Sequence, residues 1–168
     1  MRMRRLTLLA ITVATLLLVL HPVAQAPDKN VGTWKLNLTK SKYVPGPAPF
    51  EGTLKIEPET NGLKFTIHGT DAEGKPVDSE FSPRFDGKDY RVTGLSEADA
   101  VVLKSINANT IETVTKKGGK LVMTTRSVVS KDGKTRTSTQ KGTNAKGERV
   151  NNPRIRPAVR NAIPDWTS

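Results

Sequence analysis

The side chains that do acid–base, metal or nucleophilic chemistry are few in this chain, and their spacing does not assemble them. There is no cysteine, and His68 is the only histidine besides His21. A zinc site would therefore need several carboxylates to converge, and no such spacing occurs. No serine sits in a nucleophile elbow. Asp78 and Glu80 stand two apart on one strand face, the arrangement from which paired-carboxylate catalysis is built. They lie opposite Val77 and Phe81, so they read first as a solvated outer surface. His68, beside Thr66, reads the same way. The expectation is no enzyme, no metal and no cofactor.

Side chains suited to binding are more numerous. Thr113 and Thr115 share the parity of Ile111, and Thr125 and Ser127 share that of Met123 and Val129. Thr135, Thr137 and Thr139 form a further hydroxyl row. Facing inward, such rows would fix the polar part of an amphipathic ligand while Phe65, Ile67 and Phe81 meet its apolar part. Facing water, they are merely good strand formers. Arg126 lies in a long strand with Thr124 and Val128 on its parity. Its guanidinium would offer two parallel donors to a carboxylate if it pointed inward, and Tyr90 would add a hydroxyl. Chosen by parity, the ligand-binding candidates are Leu54, Ile56, Leu63, Phe65, Ile67, Phe81, Tyr90, Leu103, Met123 and Arg126. A one-residue error in register would turn a whole strand outward.

The elements that must position these residues are short strands. Val31 to Leu38 alternates, with Trp34, Leu36 and Leu38 on one side. Thr39 to Phe50, with Pro45, Pro47, Pro49 and Gly46, reads as an irregular crossing. Thr53–Glu57 and Leu63–Ile67 flank an Asn61-Gly62 turn signal. Val77, Phe81 and Phe85 share a parity in the next run, and Asp86-Gly87 turns the chain towards Tyr90 and Val92. Runs at Val101–Ile106, Thr110–Lys116, Lys120–Val129 and Thr135–Lys141 follow, separated by Asn, Gly and Asp turns. This regular spacing predicts an antiparallel meander, closing as an up-and-down barrel or folding as a sandwich. Closure has the physical merit of removing exposed edges.

Residues 1–26 carry Arg2, Arg4 and Arg5, an apolar run from Leu6 to Leu20, and Ala24-Gln25-Ala26. This order is that of a secretory signal, read as a signal helix cleaved after Ala26. The 15-residue apolar run, followed by Pro22, is short for a membrane span. Cleavage would leave residues 27–168 and lower the formal charge from +11 to +8. A protein of that length without disulfides must draw its stability from burial. Without a cysteine there is no site for a lipid-modified N-terminus, so the mature protein is expected to be soluble, secreted or periplasmic. Pro153 to Ser168, basic and interrupted by prolines, reads as a partly ordered tail after a domain at 27–152.

Gly32-Thr33-Trp34-Lys35-Leu36-Asn37 resembles the Gly-x-Trp signature of the first strand in lipocalin-like (calycin) proteins. Lys40-Ser41-Lys42-Tyr43, Pro45-Gly46-Pro47, Asp86-Gly87-Lys88-Asp89-Tyr90, the run Val128 to Thr135, and Lys141-Gly142-Thr143 extend the likeness to the group exported by bacteria. The resemblance implies a lipocalin-like barrel of about 8–10 strands with a cavity, related to lipocalins and fatty-acid-binding proteins. It also implies that Gly32 and Trp34 are structural, with Trp34 at the closed end against an arginine of the last strand. Arg149, Arg154 and Arg156 are the candidates. Pro153 stands where the final strand should continue, so either a shortened strand closes the seam or a gap remains.

Together these readings predict a monomeric, non-catalytic barrel that binds a small hydrophobic or amphipathic molecule, such as a lipid or fatty acid. The alternative is a filled barrel acting as an envelope module, whose basic face meets anionic polymers or lipid headgroups. Lysines at Lys116-Lys117, Lys120, Lys131 and Lys134 lack the interleaved aromatics that nucleic-acid binding would want.

Overall fold

The computed structural model describes residues 28–38, 41, 50–71, 73–143, 147–152 and 158–161. The expected signal segment, the Tyr43 and Pro45-Gly46-Pro47 motifs, Arg154 and Arg156 lie outside the described residues. Among the described residues no helix is long and apolar enough to cross a membrane.

The fold is all-β and antiparallel. Among the described residues eleven strands occur in order: β1 Gly32–Leu36, β2 Phe50–Glu59, β3 Gly62–Asp71, β4 Pro76–Phe81, β5 Tyr90–Arg91, β6 Ala100–Asn107, β7 Thr110–Lys117, β8 Lys120–Val129, β9 Thr135–Thr143, β10 Arg149–Asn152 and β11 Ala158–Asn161. They pair in the order β4-β3-β2-β1-β11-β9-β8-β7-β6-β5, and β10 pairs with β9 beside this path. Nearest-neighbour hairpins dominate, as the turn spacing predicts.

Two features depart from expectation. First, among the described residues the ladder does not close: its ends are β4 and β5, and no strand pairing joins them. The two-residue β5 is too short to supply a ladder. Instead Ser79 Oγ donates to the Thr93 carbonyl at 2.5 Å, and Gly94 lies against β4. A Cβ on Gly94 would stand 1.9 Å from the Asp78 carbonyl oxygen, and its φ of +80° is one that only glycine adopts readily. Second, the stretch read as a tail supplies β11, inserted between β1 and β9. Arg160 is the register partner of Trp34, whereas Arg149 sits on β10 opposite Thr143.

The phase of β1 holds at Trp34 but ends early. Leu38 is exposed beyond the strand rather than sharing the buried side. Phe85 likewise falls outside β4 and is exposed. At the β2–β3 turn the left-handed residue is Asn61, with φ of 59°. Gly62 answers a different need, because a Cβ there would lie 2.3 Å from the Pro83 carbonyl oxygen. That carbonyl accepts the Leu63 N–H at 3.1 Å, which fastens the segment after β4 to the hairpin.

The core draws on both halves of the pairing path: Trp34, Ile56, Leu63 and Phe65 meet Leu103, Ile111 and Val129. All seven lie towards the end carrying the β2–β3, β6–β7 and β8–β9 turns, here called the base. Each fully buried side chain of this size contributes about 1.5–3 kcal/mol, which offsets the missing disulfides. Trp34, 1% exposed, also satisfies its indole: Nε1 donates to the Asn30 carbonyl at 2.8 Å. Asp28 Oδ1 in turn accepts from the Asn30 backbone N–H (2.8 Å) and Nδ2 (2.9 Å), so a short turn caps the base.

Candidate functional site

The register defines which residues share the inward surface. From Trp34 the row runs to Leu54, Ile67 and Ser79, and the next from Gly32 to Ile56, Phe65 and Phe81. Phe65 and Phe81 stack with ring centroids 5.2 Å apart. On the other half, Leu103 pairs with Thr113, which pairs with Thr125, which pairs with Gln140. The neighbouring rows are Ser105, Ile111, Ser127, Ser138 and Val101, Thr115, Met123, Gly142. The core-bearing face therefore has two unlike halves, here called walls: apolar on β1–β4 and rich in hydroxyls on β7–β9.

Burial along these walls falls from the base to the opposite end, the rim. Ile56, Leu63, Phe65, Leu103 and Ile111 are buried. Leu54, Ile67, Val77 and Phe81 on one wall, and Thr113, Thr115, Met123, Thr125 and Gln140 on the other, are half-buried. The base is filled, whereas the rim half of the inward surface keeps contact with solvent. Of the ten ligand-binding candidates, nine lie on this inward surface by register or burial; Arg126 does not.

Arg126 is exposed. It pairs with Glu112 and Thr139 on the outward face, one residue out of phase with the buried Ser127 and Val129. The late-strand arginine on the inside is Arg136, 8% exposed and opposite Val129. The hydroxyl row expected at Thr135, Thr137 and Thr139 is likewise displaced by one: Arg136, Ser138 and Gln140 take the inward phase. Ser127 and Ser138, both buried, bond hydroxyl to hydroxyl at 2.8 Å. No apolar residue occurs between Thr135 and Thr143, so β9 carries no phase of its own. The usable signal was the hairpin from β8, which sets Val129 opposite Arg136.

Tyr90 pairs with Val101 and is half-buried, but its hydroxyl donates to Asp86 Oδ2 at 2.8 Å. The Lys88 backbone N–H, and then the Tyr90 hydroxyl, hold the Asp86 carboxyl below its ordinary range. Desolvation first, and then the Asp86 bond, push the Tyr90 phenol up. This pair belts the Asp86–Tyr90 loop and leaves the phenol committed to it.

The acid–base candidates stay outside. His68 Nδ1 and Asp78 Oδ1 lie 2.6 Å apart across β3 and β4, with side chains 63% and 71% exposed. Glu80 pairs with Lys64 at 2.9 Å, and this hydrogen-bonded partner raises the Lys64 ammonium pKa. Asp78 and Glu80 are thus each engaged by a different base. Among the described residues, no group of three His, Asp or Glu side chains is placed to hold a metal ion.

In comparisons with known proteins, no family model, no curated protein and no solved structure matches this chain.

Proposed function

We propose that this protein is an exported, non-catalytic, lipocalin-like carrier whose barrel, joined at the β4–Gly94 seam by side-chain and close backbone contact, receives a small hydrophobic or amphipathic molecule at its rim. The observation that carries this reading is the gradient of burial along the inward faces. Side chains that could have packed the interior to the end do so only at the base. Towards the rim the walls offer half-buried Leu54, Ile67, Val77 and Phe81 on one side, a lining suited to apolar contact with a few polar groups for orientation. The test is fluorescence of a neutral lipophilic probe, N-phenyl-1-naphthylamine. A saturable rise that is displaced by lipids is the expected result, and Ile67→Asp should abolish it while circular dichroism stays unchanged. A flat titration at protein concentrations up to about 100 μM, a weak limit on the affinity scale, would overturn the reading. Native mass spectrometry of freshly purified protein would identify any ligand carried along.

A second reading, an envelope module with a basic face, draws on one observation. Leu121 is 59% exposed beside the exposed Lys117 and Lys120 at the β7–β8 turn. Salt-sensitive retention on an anionic polysaccharide, with no probe response, would favour it over the carrier.

A further inference from the structure

The two inward walls differ from each other in polarity, and this contrast constrains the ligand if the carrier reading holds. On β2–β4 the half-buried hydrocarbon side chains in the inward phase are Leu54, Ile67, Val77 and Phe81, with Asp71 at the rim end of β3. On the other half of the core-bearing face β7–β9 present Thr113, Thr115, Thr125 and Gln140, with Met123 the one half-buried apolar side chain in that phase. Thr113, Thr125 and Gln140 form one row across three adjacent strands, and Thr115 extends it by one inward position along β7. Two of the bonds these residues make are long. Thr115 Oγ1 donates to the Met123 carbonyl at 3.3 Å, and Gln140 Nε2 donates to Thr125 Oγ1 at 3.4 Å. Both sit at the long limit of hydrogen bonding, and each hydroxyl keeps acceptor capacity for a further partner. Among the described buried residues the one charged side chain is Arg136, towards the base, and the register puts Arg160 in the row of Trp34.

We infer that the ligand is amphipathic from side to side, not from end to end: a rigid, flattened molecule with hydroxyl or carbonyl groups along one face and hydrocarbon along the other. A single-chain fatty acid is a poorer match. Laid along the site, its methylene chain would press against the threonine wall and leave those groups without water or partner, which is unfavourable. A facially hydroxylated polycycle meets both walls at once.

The inference rests on the carrier reading, and one experiment separates their failures. Deoxycholate, below its micellar concentration, and palmitate both carry a carboxylate, so charge cancels between them. Only deoxycholate bears two hydroxyls on one face of a rigid skeleton. Each is titrated as a competitor of N-phenyl-1-naphthylamine and, separately, directly by calorimetry. The expected result is displacement by deoxycholate at roughly tenfold lower concentration than palmitate, as two added hydrogen bonds would give. Thr115→Val/Thr125→Val should erase that preference and leave palmitate binding intact, with circular dichroism unchanged. Palmitate binding as well as or better than deoxycholate to the unaltered protein overturns the inference and leaves the carrier standing. An unaltered preference in the valine variant overturns it as well. Absence of probe, palmitate and deoxycholate binding overturns both.

Discussion

Single residues in this protein test the argument most sharply where the surroundings have no room to adjust. Gly94 must accept both a left-handed backbone and the Asp78 carbonyl at a distance no Cβ tolerates. Gly94→Ala is expected to cost about 2–4 kcal/mol, read as a lower urea midpoint with unchanged slope. The Ser127–Ser138 pair behaves differently, because each hydroxyl is the other's partner in a buried setting. Ser127→Ala alone should cost about 1–3 kcal/mol by stranding Ser138. The double alanine variant should cost less than the sum of the two singles, and urea denaturation of all four proteins completes the cycle. Acid stability depends on exposed carboxyls. Ser130 Oγ, and then the Lys134 N–H, hold Asp132 below its ordinary value of 3.8, and Asp86 is lowered from the same value by Lys88 and Tyr90. A carboxyl more acidic in the folded than in the unfolded state contributes stability above 3.8 that is lost as pH falls through its folded value. Thermal midpoints measured from pH 5 to 2 should therefore drop, and Asp132→Asn should flatten that acid limb.

At the level of elements, legibility followed the apolar residues. In β2, β3 and β8, Leu54 and Ile56, Leu63 and Phe65, and Met123 and Val129 alternate, so their inward phase is readable from the chain alone. In β9 the run Thr135 to Lys141 offers threonines in one phase and Arg136, Ser138 and Gln140 in the other. Neither is hydrophobic, and only tertiary pairing decides between them. For the same reason nothing in the chain alone marks Arg136, which is buried, ten residues beyond Arg126, which is exposed. β11 was hidden for another reason: Pro157 immediately precedes it, and its sequence Ala158-Val159-Arg160-Asn161 has no periodic signature. Its worth lies in the pairing it completes. Ending the chain at Asn152 leaves β1 an unpaired edge and parts the two halves of the ladder at β9. The expected outcome is a loss of several kcal/mol or of folding altogether. Trp34, then the only tryptophan, should shift its emission to the red as its cover is lost, a change absent from a Trp166→Phe control.

For the whole molecule, the uneven distribution of burial predicts uneven protection. Amides of the paired rows around Ile56, Phe65, Leu103 and Ile111 should exchange with solvent only on global unfolding. Those of β5 and the outer edge of β4, where one side-chain hydrogen bond does the work of a ladder, should exchange through local opening. Mass-spectrometric hydrogen exchange would check this, and uniform protection across both regions would contradict it. The position of β11 has a further consequence. A ribosome delivers β1 more than a hundred residues before its β11 neighbour, so the tryptophan strand waits through that stretch of synthesis with one flank bare. Nascent chains stalled before residue 158 are in two joinable pieces, and quality-control proteases would find them open. Translation must pass residue 161 before the molecule can become whole.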